Sequence, residues 1–195
     1  MADQFKQALR LSCQHIRKNL STSYQQKISR KICNRIRTLE KYRYATRLAL
    51  YQAVNGEIDL GELWRSAPMQ GKYCYFPALN DDLTLSFLPA TPTSRFLKNK
   101  YGIEEPDIGR EEAMAPEQLD LMILPLVAVD EQGTRLGMGA GYYDRTLACH
   151  RPPLLIGVAY EFQRLSFIEP EAWDIPLDVV ITEHAIYWMN KTIDT

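Results

Sequence analysis

The chain of 195 residues has few cysteines and histidines and no long apolar run. The cysteines are Cys13, Cys33, Cys74 and Cys149. None belongs to a CxxC pair, which argues against both a zinc site and a disulfide framework. The three histidines show no HExxH spacing, and no stretch of about 18 apolar residues occurs. We therefore expect neither a zinc enzyme nor a membrane span.

The start of the chain also lacks a targeting signal. The segment MADQFKQALRLS is polar and has no apolar stretch of the signal-peptide kind. Scattered cysteines suit a reducing compartment, so we expect a cytoplasmic protein. With 46% hydrophobic and 24% charged residues, the composition predicts a single globular domain over 1–195.

Acidic residues are nearly missing from the first quarter of the chain. Residues 1–50 contain twelve Lys or Arg and two Asp or Glu, whereas 51–195 contain eleven and twenty-two. Such asymmetry can mark a nucleic-acid-binding arm or a basic surface that attracts a small polyanion. It is equally compatible with solvated helix faces that have no partner.

The basic region has helical periodicity. Apolar or small residues recur at helical spacing over 3–19, which predicts an amphipathic helix: Phe5, Leu9, Ser12, Ile16 and Leu20. The run STS at 21–23, with Gln26 three residues after Ser23, predicts a cap that opens a second helix. Its apolar stripe is Ile28, Ile32, Ile36 and Leu39. Together they predict an N-terminal helical hairpin.

Beyond this hairpin, strands alternate with short helices. Apolar runs predict strands at 47–54, 73–79, 83–89, 119–130, 154–160, 177–184 and 185–189. Asp59 can cap a helix through Leu60, Leu63 and Trp64, and another helix is expected from about Tyr142 to Cys149. The segment 91–118 is loop-rich. This order predicts an α/β fold, a mostly parallel central sheet with helices on both faces in a Rossmann-like three-layer arrangement.

The segment RLGMGAGYYDR, 135–145, carries glycines at 137, 139 and 141. It lies between the predicted strand ending near Val129 and the predicted helix at Tyr142. Glycines there allow backbone N–H groups to approach phosphate oxygens, and the helix start adds positive charge. The pattern is neither a Walker A loop nor GxGxxG, so alone it favours phosphate binding only slightly over a turn.

The charged and aromatic neighbours of these glycines strengthen the phosphate hypothesis. Arg135 and Arg145 can neutralise phosphate charge, and Asp144 offers an oxygen ligand of the kind that Mg²⁺ prefers. The alternatives are structural. Asp144 can favour a helix start or pair with Arg145, and Tyr142 and Tyr143 can be packing aromatics.

The loop resembles the RLGxGxGYYDR signature of the 5-formyltetrahydrofolate cyclo-ligase family. Five further segments resemble family elements in the same order: FKQALR, NGEIDL, YGIEEP, DLMILPLVAVD and LDVVITE. This ordered set covers nearly the whole chain and is far more specific than the loop alone. It implies ATP-dependent conversion of 5-formyltetrahydrofolate to 5,10-methenyltetrahydrofolate, with release of ADP and phosphate and with Mg²⁺ as cofactor.

The resemblance also implies roles for individual residues. ATP contacts are expected from Lys6, Arg10, Arg135, Leu136, Gly137, Met138, Gly139, Ala140, Gly141, Tyr142 and Tyr143. Folate contacts are expected from Glu57, Met138, Gly139, Ala140, Gly141 and Tyr142. Magnesium-linked carboxylates are expected at Asp144 and Asp178. Glu57 would accept hydrogen bonds from the pterin, although it could be an exposed turn acid. Gln52 is a weaker candidate for the same pocket, since it is the one polar side chain inside LALYQAV.

Five positions depart from the family pattern: Leu60, Leu126, Val129, Met138 and Ala140. The backbone cradle does not depend on the two loop positions among them, so we keep the function. Two alternatives remain open, namely a nucleic-acid-binding module built on the basic hairpin, and a relative that binds nucleotide or folate without turnover. We expect a monomer acting on ATP and a folate, with no nucleic-acid or membrane partner.

Overall fold

A computed structural model describes residues 2–189. The strands are β1 (Arg47–Ala49), β2 (Tyr73–Leu79), β3 (Leu85–Pro89), β4 (Phe96–Lys98), β5 (Glu104–Pro106), β6 (Leu121–Leu124), β7 (Ala128–Val129), β8 (Arg135–Leu136), β9 (Leu155–Val158), β10 (Val179–Ile181) and β11 (Ile186–Trp188). The α-helices are α1 (Ala2–Asn19), α2 (Thr22–Thr38), α3 (Glu40–Tyr44), α4 (Gly61–Ser66) and α5 (Tyr142–Leu147).

Seven of these strands form the central sheet, in the order β11-β10-β9-β6-β1-β2-β3. The five inner strands are parallel, and the edge strands β3 and β11 are antiparallel to their neighbours. The prediction of a mostly parallel sheet is therefore confirmed. Because β2 and β6 lie on opposite sides of β1, the winding reverses between β1 and β6, which is where ligands collect in such sheets.

Both faces of the sheet are covered, as the strand periodicity requires. Along β6, Leu121 and Ile123 face a core shared with α2, α3 and α4, whereas Met122 and Leu124 face a core shared with α5. The same alternation occurs along β9 and β10. Buried strands with apolar side chains on both faces are typical of parallel sheets. The three-layer α/β prediction is confirmed.

Both predicted N-terminal helices are present, but they bury different faces. In α2, Ile28, Ile32 and Ile36 are buried as expected. In α1, the apolar stripe is not the buried face, because Phe5 is 61% exposed and Ile16 is 46% exposed. The buried side chains of α1 are those of Lys6, Cys13 and Arg17.

The reason lies in what each helix contacts. Helix α2 packs on an apolar sheet face, whereas α1 packs on the antiparallel β7–β8 hairpin. A small apolar cluster makes that second contact: Cys13, Val127, Ala128, Leu136 and Ile168, with Leu9 at its edge. The other buried positions of α1 carry the cations Lys6 and Arg17.

Helix starts differ from the expectation in two places. Ser21, not Ser23, is the N-cap of α2, and its hydroxyl accepts a hydrogen bond from Tyr24 N at 3.3 Å. Leu60 stands at the N-cap of α4 without a side-chain bond. Asp59 accepts instead from Gly61 N at 2.7 Å, so it stabilises the turn that leads into the helix.

Several predicted strands are shorter than expected. The run 47–54 pairs only as far as β1, and 119–130 is divided between β6 and β7. Pro125 lies at that break, and proline has no N–H group for a strand ladder. Consequently the β7–β8 hairpin stands between the central strand and the glycine loop, which the sequence did not indicate. The loop-rich segment 91–118 contains the small β4–β5 hairpin.

Within residues 2–189, no helix has both the length and the apolar character that crossing a membrane requires. The four cysteines are free thiols, and three of them are buried.

Candidate active site

The candidate site lies at the carboxyl ends of β1 and β6, where the winding reverses. The chain leaving β1 leads to the turn that carries Glu57. The chain leaving β6 passes Leu126, forms the β7–β8 hairpin and enters the glycine loop at 137–141. Helix α1 contacts both segments, so three separate parts of the chain meet here.

The turn after β1 is tight and pressed against α1. Asn55 and Gly56 have φ of +50° and +75°, values in the left-handed region that Asn and Gly adopt most readily. Glu57 N donates to Val54 O at 3.0 Å, which closes the turn. A Cβ atom on Gly56 would lie 2.9 Å from Arg17 O. The absence of a side chain at Gly56 therefore allows the turn to approach α1 this closely.

Glu57 is not the exposed turn acid that the sequence left open. Its side chain is only 7% exposed, and its Oε2 accepts from Val54 N at 3.1 Å. Burial raises the pKa of this carboxyl, while the Arg17 guanidinium and the Val54 N–H act in the opposite direction. Gln52, in the same segment, is half-buried. Glu57 is thus a desolvated acid supported by a nearby cation.

Arg17 is a buried cation of this site that the sequence prediction did not include. It is 1% exposed and donates to Asn55 O at 3.0 Å and to Leu126 O at 3.1 Å. Its Nη2 lies 3.4 Å from Glu57 Oε1. A signal for it existed, because Lys6 and Arg17 are separated by about three helical turns and so share one face with Arg10.

Arg10 connects α1 to the glycine loop. Its Nε donates to Gly137 O at 3.0 Å. Gly139 and Gly141 have φ of +101° and +69°, conformations that favour glycine. A Cβ atom on Gly139 would lie 3.6 Å from the guanidinium carbon of Arg10. The guanidinium of Arg10 therefore lies directly against the backbone of the glycine loop.

The other predicted cations hold partners within the protein. Lys6 Nζ lies 2.7 Å from Glu171 Oε1, and Lys6 is buried. Arg135 Nη2 donates to Asp144 Oδ1 at 2.8 Å, with its guanidinium 5.3 Å from the ring centre of Tyr143. Arg145 donates to the backbone oxygens of Ala140 and Leu83. Each of these cations therefore donates to oxygens of the protein itself.

The remaining loop residues divide into buried and exposed groups. Leu136 and Tyr142 are buried, the former against α1 and the latter in the core beneath α5. Met138 and Ala140 are exposed at the loop tip, and Gln14 Nε2 of α1 lies 3.2 Å from Met138 Sδ. The loop that the sequence predicts to contact ATP and folate is thus a backbone segment whose ends are fixed by packing.

The two predicted magnesium-linked carboxylates have different surroundings. Asp144 is partly exposed, and besides Arg135 it accepts from Ile175 N at 3.4 Å. Asp178 is buried at the amino ends of β9 and β10, where it accepts from Leu155 N at 2.8 Å and pairs with Arg151. Because β1, β6, β9 and β10 are all parallel, Asp178 lies at the opposite edge of the sheet from the carboxyl ends of β1 and β6, so the structure does not bring it together with the rest of the site. Within 2–189, no cluster of three acidic, histidine or cysteine side chains forms a metal cage.

Comparison with known proteins shows which family this chain resembles. The 5-formyltetrahydrofolate cyclo-ligase family matches residues 2–183. A 5-formyltetrahydrofolate cyclo-ligase of Haemophilus influenzae is 35% identical over 189 residues, covering 93% of this chain and 100% of that protein. The NMR structure of 5,10-methenyltetrahydrofolate synthetase from Aquifex aeolicus superimposes with a TM-score of 0.84 at 33% identity, covering 97% and 95% of the two chains.

The chain belongs to the 5-formyltetrahydrofolate cyclo-ligase family. The resemblance read from the sequence is thereby confirmed. A further solved structure, a 5,10-methenyltetrahydrofolate synthetase of Mycoplasma pneumoniae, has a TM-score of 0.72 at 26% identity. It covers 91% of this chain and 98% of that one.

The departures from the family signature have local structural consequences. Leu126 packs against Gly157, where a Cβ atom would lie 2.9 Å from the leucine Cδ2, so the larger side chain occupies space that this glycine leaves. Its carbonyl remains an acceptor for Arg17 and Gln163. Val129 and Leu60 are buried in the core. None of these positions interrupts the backbone that forms the cyclo-ligase loop.

Proposed function

We propose that this chain catalyses the ATP-dependent conversion of 5-formyltetrahydrofolate to 5,10-methenyltetrahydrofolate. The formyl oxygen takes the terminal phosphoryl group of ATP, and ADP leaves. The folate N10 then attacks the formyl carbon and gives up its proton, and the carbon–oxygen bond breaks with release of phosphate. The observation that carries this proposal is the convergence of α1, the Glu57 turn and the glycine loop at one sheet edge.

ATP would bind between α1 and the glycine loop. Backbone N–H groups at 137–141 and the cations Lys6, Arg10 and Arg135 suit a triphosphate, because charge-assisted hydrogen bonds to phosphate are the stronger kind. The phosphates would replace the oxygens of Glu171 and Gly137, which now hold Lys6 and Arg10. Phosphoryl transfer depends mainly on such positioning and charge neutralisation.

The folate would bind beside ATP with its pterin on Glu57. A carboxylate offers about four lone-pair sites, and the contacts with Val54 N and Arg17 leave capacity for two pterin donors. Gln52 would line the same pocket. The pterin and the phosphates are thereby brought together at the winding reversal, which the reaction requires.

Asp144 fits a magnesium ion bound together with phosphates. Mg²⁺ in nucleotide sites commonly uses one or two carboxylates with phosphate oxygens and water, so a cage of several acids is not needed. Asp144 is partly exposed and adjoins the loop, which suits it for this role. Mg²⁺ would supply neutralisation of the phosphate charge. Asp178 lies at the opposite edge of the sheet, so its part in the metal site would be indirect, through Ile175, whose N–H donates to Asp144.

The direct test mixes the protein with 5-formyltetrahydrofolate and Mg²⁺, with and without ATP, and follows the absorbance of the methenyl product. Product that depends on ATP is expected. Binding of ATP or folate without turnover would assign the chain to the second alternative, a binding relative. No binding and no product would contradict the proposal.

The metal assignment is tested with Asp144→Asn and Asp178→Asn. Each replacement keeps the shape and removes the charge. We expect Asp144→Asn to lower activity steeply and to raise the Mg²⁺ concentration needed for ATP binding, with part of the loss recovered at high Mg²⁺. Unchanged Mg²⁺ dependence in either variant would remove that residue from the metal site.

We also propose that the protein is a cytoplasmic monomer that acts on small molecules alone. The nucleic-acid alternative is weakened because Lys6 and Arg17 are buried and point inward, away from any duplex. The basic region would instead favour a folate with an anionic glutamate tail. Tight RNA binding without preference for a longer folate tail would reverse this assignment.

A further inference from the structure

We propose that Arg17 is a positioning residue for the folate step, because it holds the Glu57 carboxylate charged and correctly aimed at the pterin. This inference rests on the proposed function of Glu57. It assigns to Arg17 a role that neither the loop signature nor the resemblance indicated.

The geometry shows that Arg17 fixes both sides of the winding reversal. Its Nε donates to Asn55 O in the turn after β1, and its Nη1 donates to Leu126 O after β6. Its Nη2 lies 3.4 Å from Glu57 Oε1. Because the guanidinium is planar with a fixed fork of donors, it sets the relative position of these three acceptors.

Further contacts fix Arg17 itself. Gln25 Nε2 of α2 donates to Arg17 O at 3.4 Å and to Leu20 O at 3.1 Å. The bare backbone of Gly56 lies against the same carbonyl. Arg17 is therefore held at its backbone as well as at its guanidinium. This fixes where the guanidinium lies relative to the Glu57 carboxylate.

The charges around Glu57 make Arg17 hard to replace. The titratable groups that face it from the packed elements are Arg17 of α1, Tyr51 after β1, Tyr143 of α5 and Tyr160 after β9. Among these described neighbours the arginine is the cation, and the tyrosines are neutral. A desolvated carboxylate that loses its cation takes up a proton more readily.

The sign of the pH effect follows from this arrangement. Burial raises the pKa of Glu57, and Arg17 opposes that rise. Without Arg17 the pKa of Glu57 would rise further, so more of it would be protonated at neutral pH. A protonated Glu57 presents an O–H donor towards the pterin donors. Folate binding in the variant should therefore improve as pH increases, and should vary less with pH in the wild type.

The experiment measures KM for 5-formyltetrahydrofolate and for ATP from neutral to mildly alkaline pH. The variants are Arg17→Met, Glu57→Gln and the double variant. Arg30→Met is the matched control, since Arg30 lies on α2 with an exposed guanidinium that pairs with Glu62. For Arg17→Met we expect folate KM to rise at least about tenfold at neutral pH, because a buried carboxylate that loses its cation is both less well oriented and more easily protonated. The rise should diminish at alkaline pH, with ATP KM little changed.

The double variant separates positioning from folding. If Arg17 acts through Glu57, the double variant should have a folate KM close to that of Glu57→Gln and no pH trend. If Arg17→Met cannot be obtained folded, Arg17→Lys takes its place, and a selective rise of folate KM is expected because Lys lacks the fork. Equal rises of both KM values, or a wild-type pH profile in Arg17→Met, would overturn the inference. Turnover by the wild type is measured first, so failure of the proposed function is distinguished from failure of this inference.

Discussion

Helices α1 and α2 follow one another along the chain and have similar lengths, 18 and 17 residues. Both combine many cations with an apolar stripe. Nevertheless α2 buries its isoleucines, whereas α1 buries Lys6 and Arg17 and leaves Phe5 and Ile16 exposed. Helical amphipathicity alone therefore did not determine which face turns inward.

The difference is set by the surface that each helix covers. Helix α2 covers side chains of the sheet, and burying apolar area there stabilises the fold. Helix α1 covers loop backbone and carboxylates, such as Leu126 O and Glu57, which need donors and positive charge. On this basis we propose that α2 serves chiefly stability and α1 chiefly ligand binding.

The largest expected effect is on stability, from Ile32→Ala in α2. Ile32 is fully buried, so the free energy of unfolding should fall by about 2–5 kcal/mol. KM values of the folded protein should not change. The matched replacement Ile16→Ala in α1 should cost less, about 1 kcal/mol, since that residue is 46% exposed. Urea unfolding measures both, and equal losses would contradict the comparison.

The second effect is on ATP binding, from Lys6→Met and Arg10→Met in α1. Each would remove the charge-assisted hydrogen bond that we propose to a phosphate of ATP, which is worth about 1.5–3 kcal/mol, so ATP KM should rise on the order of 10- to 100-fold. Lys18→Met, at an exposed position of the same helix, is the control and should change ATP KM little. If all three variants behave alike, the inward face of α1 has no special role.

The smallest effect concerns the cap between the two helices. Ser21→Ala removes the acceptor for Tyr24 N and should destabilise the protein by about 1 kcal/mol. Ser23→Ala, two residues later and inside α2, should have little effect on the melting temperature. A larger loss from Ser23→Ala than from Ser21→Ala would instead support Ser23 as the N-cap, as the sequence pattern predicted.

The layers of the fold could be predicted from the sequence because they depend on local periodicity. The apolar run 154–160 indicates a strand that is buried on both faces. The isoleucine spacing of α2 likewise indicates which face of that helix is buried. The division of 119–130 at Pro125 could not be predicted with the same certainty, since proline also occurs at strand edges and bulges. The β7–β8 hairpin depends on contacts with α1, which lie far away in sequence.

The site could be predicted in part. Lys6, Arg10, Glu57 and the glycine loop were identified through family motifs, and the structure brings α1, the turn and the loop together. Arg17 was missed because it occurs in none of those motifs and because the exposed apolar stripe of α1 suggested a different buried face. Pairings such as Lys6 with Glu171 join residues 165 positions apart, and no local pattern encodes them.

Hydrogen exchange of the whole protein, with and without ATP and Mg²⁺, tests the division between α1 and α2 most directly. Ligands stabilise most strongly the elements that they contact, and packed core helices exchange slowly without them. The account predicts that nucleotide slows exchange in α1 and in the glycine loop, while α2 is slow in both states and changes little. Equal slowing of both helices, or slowing of α2 alone, would contradict it.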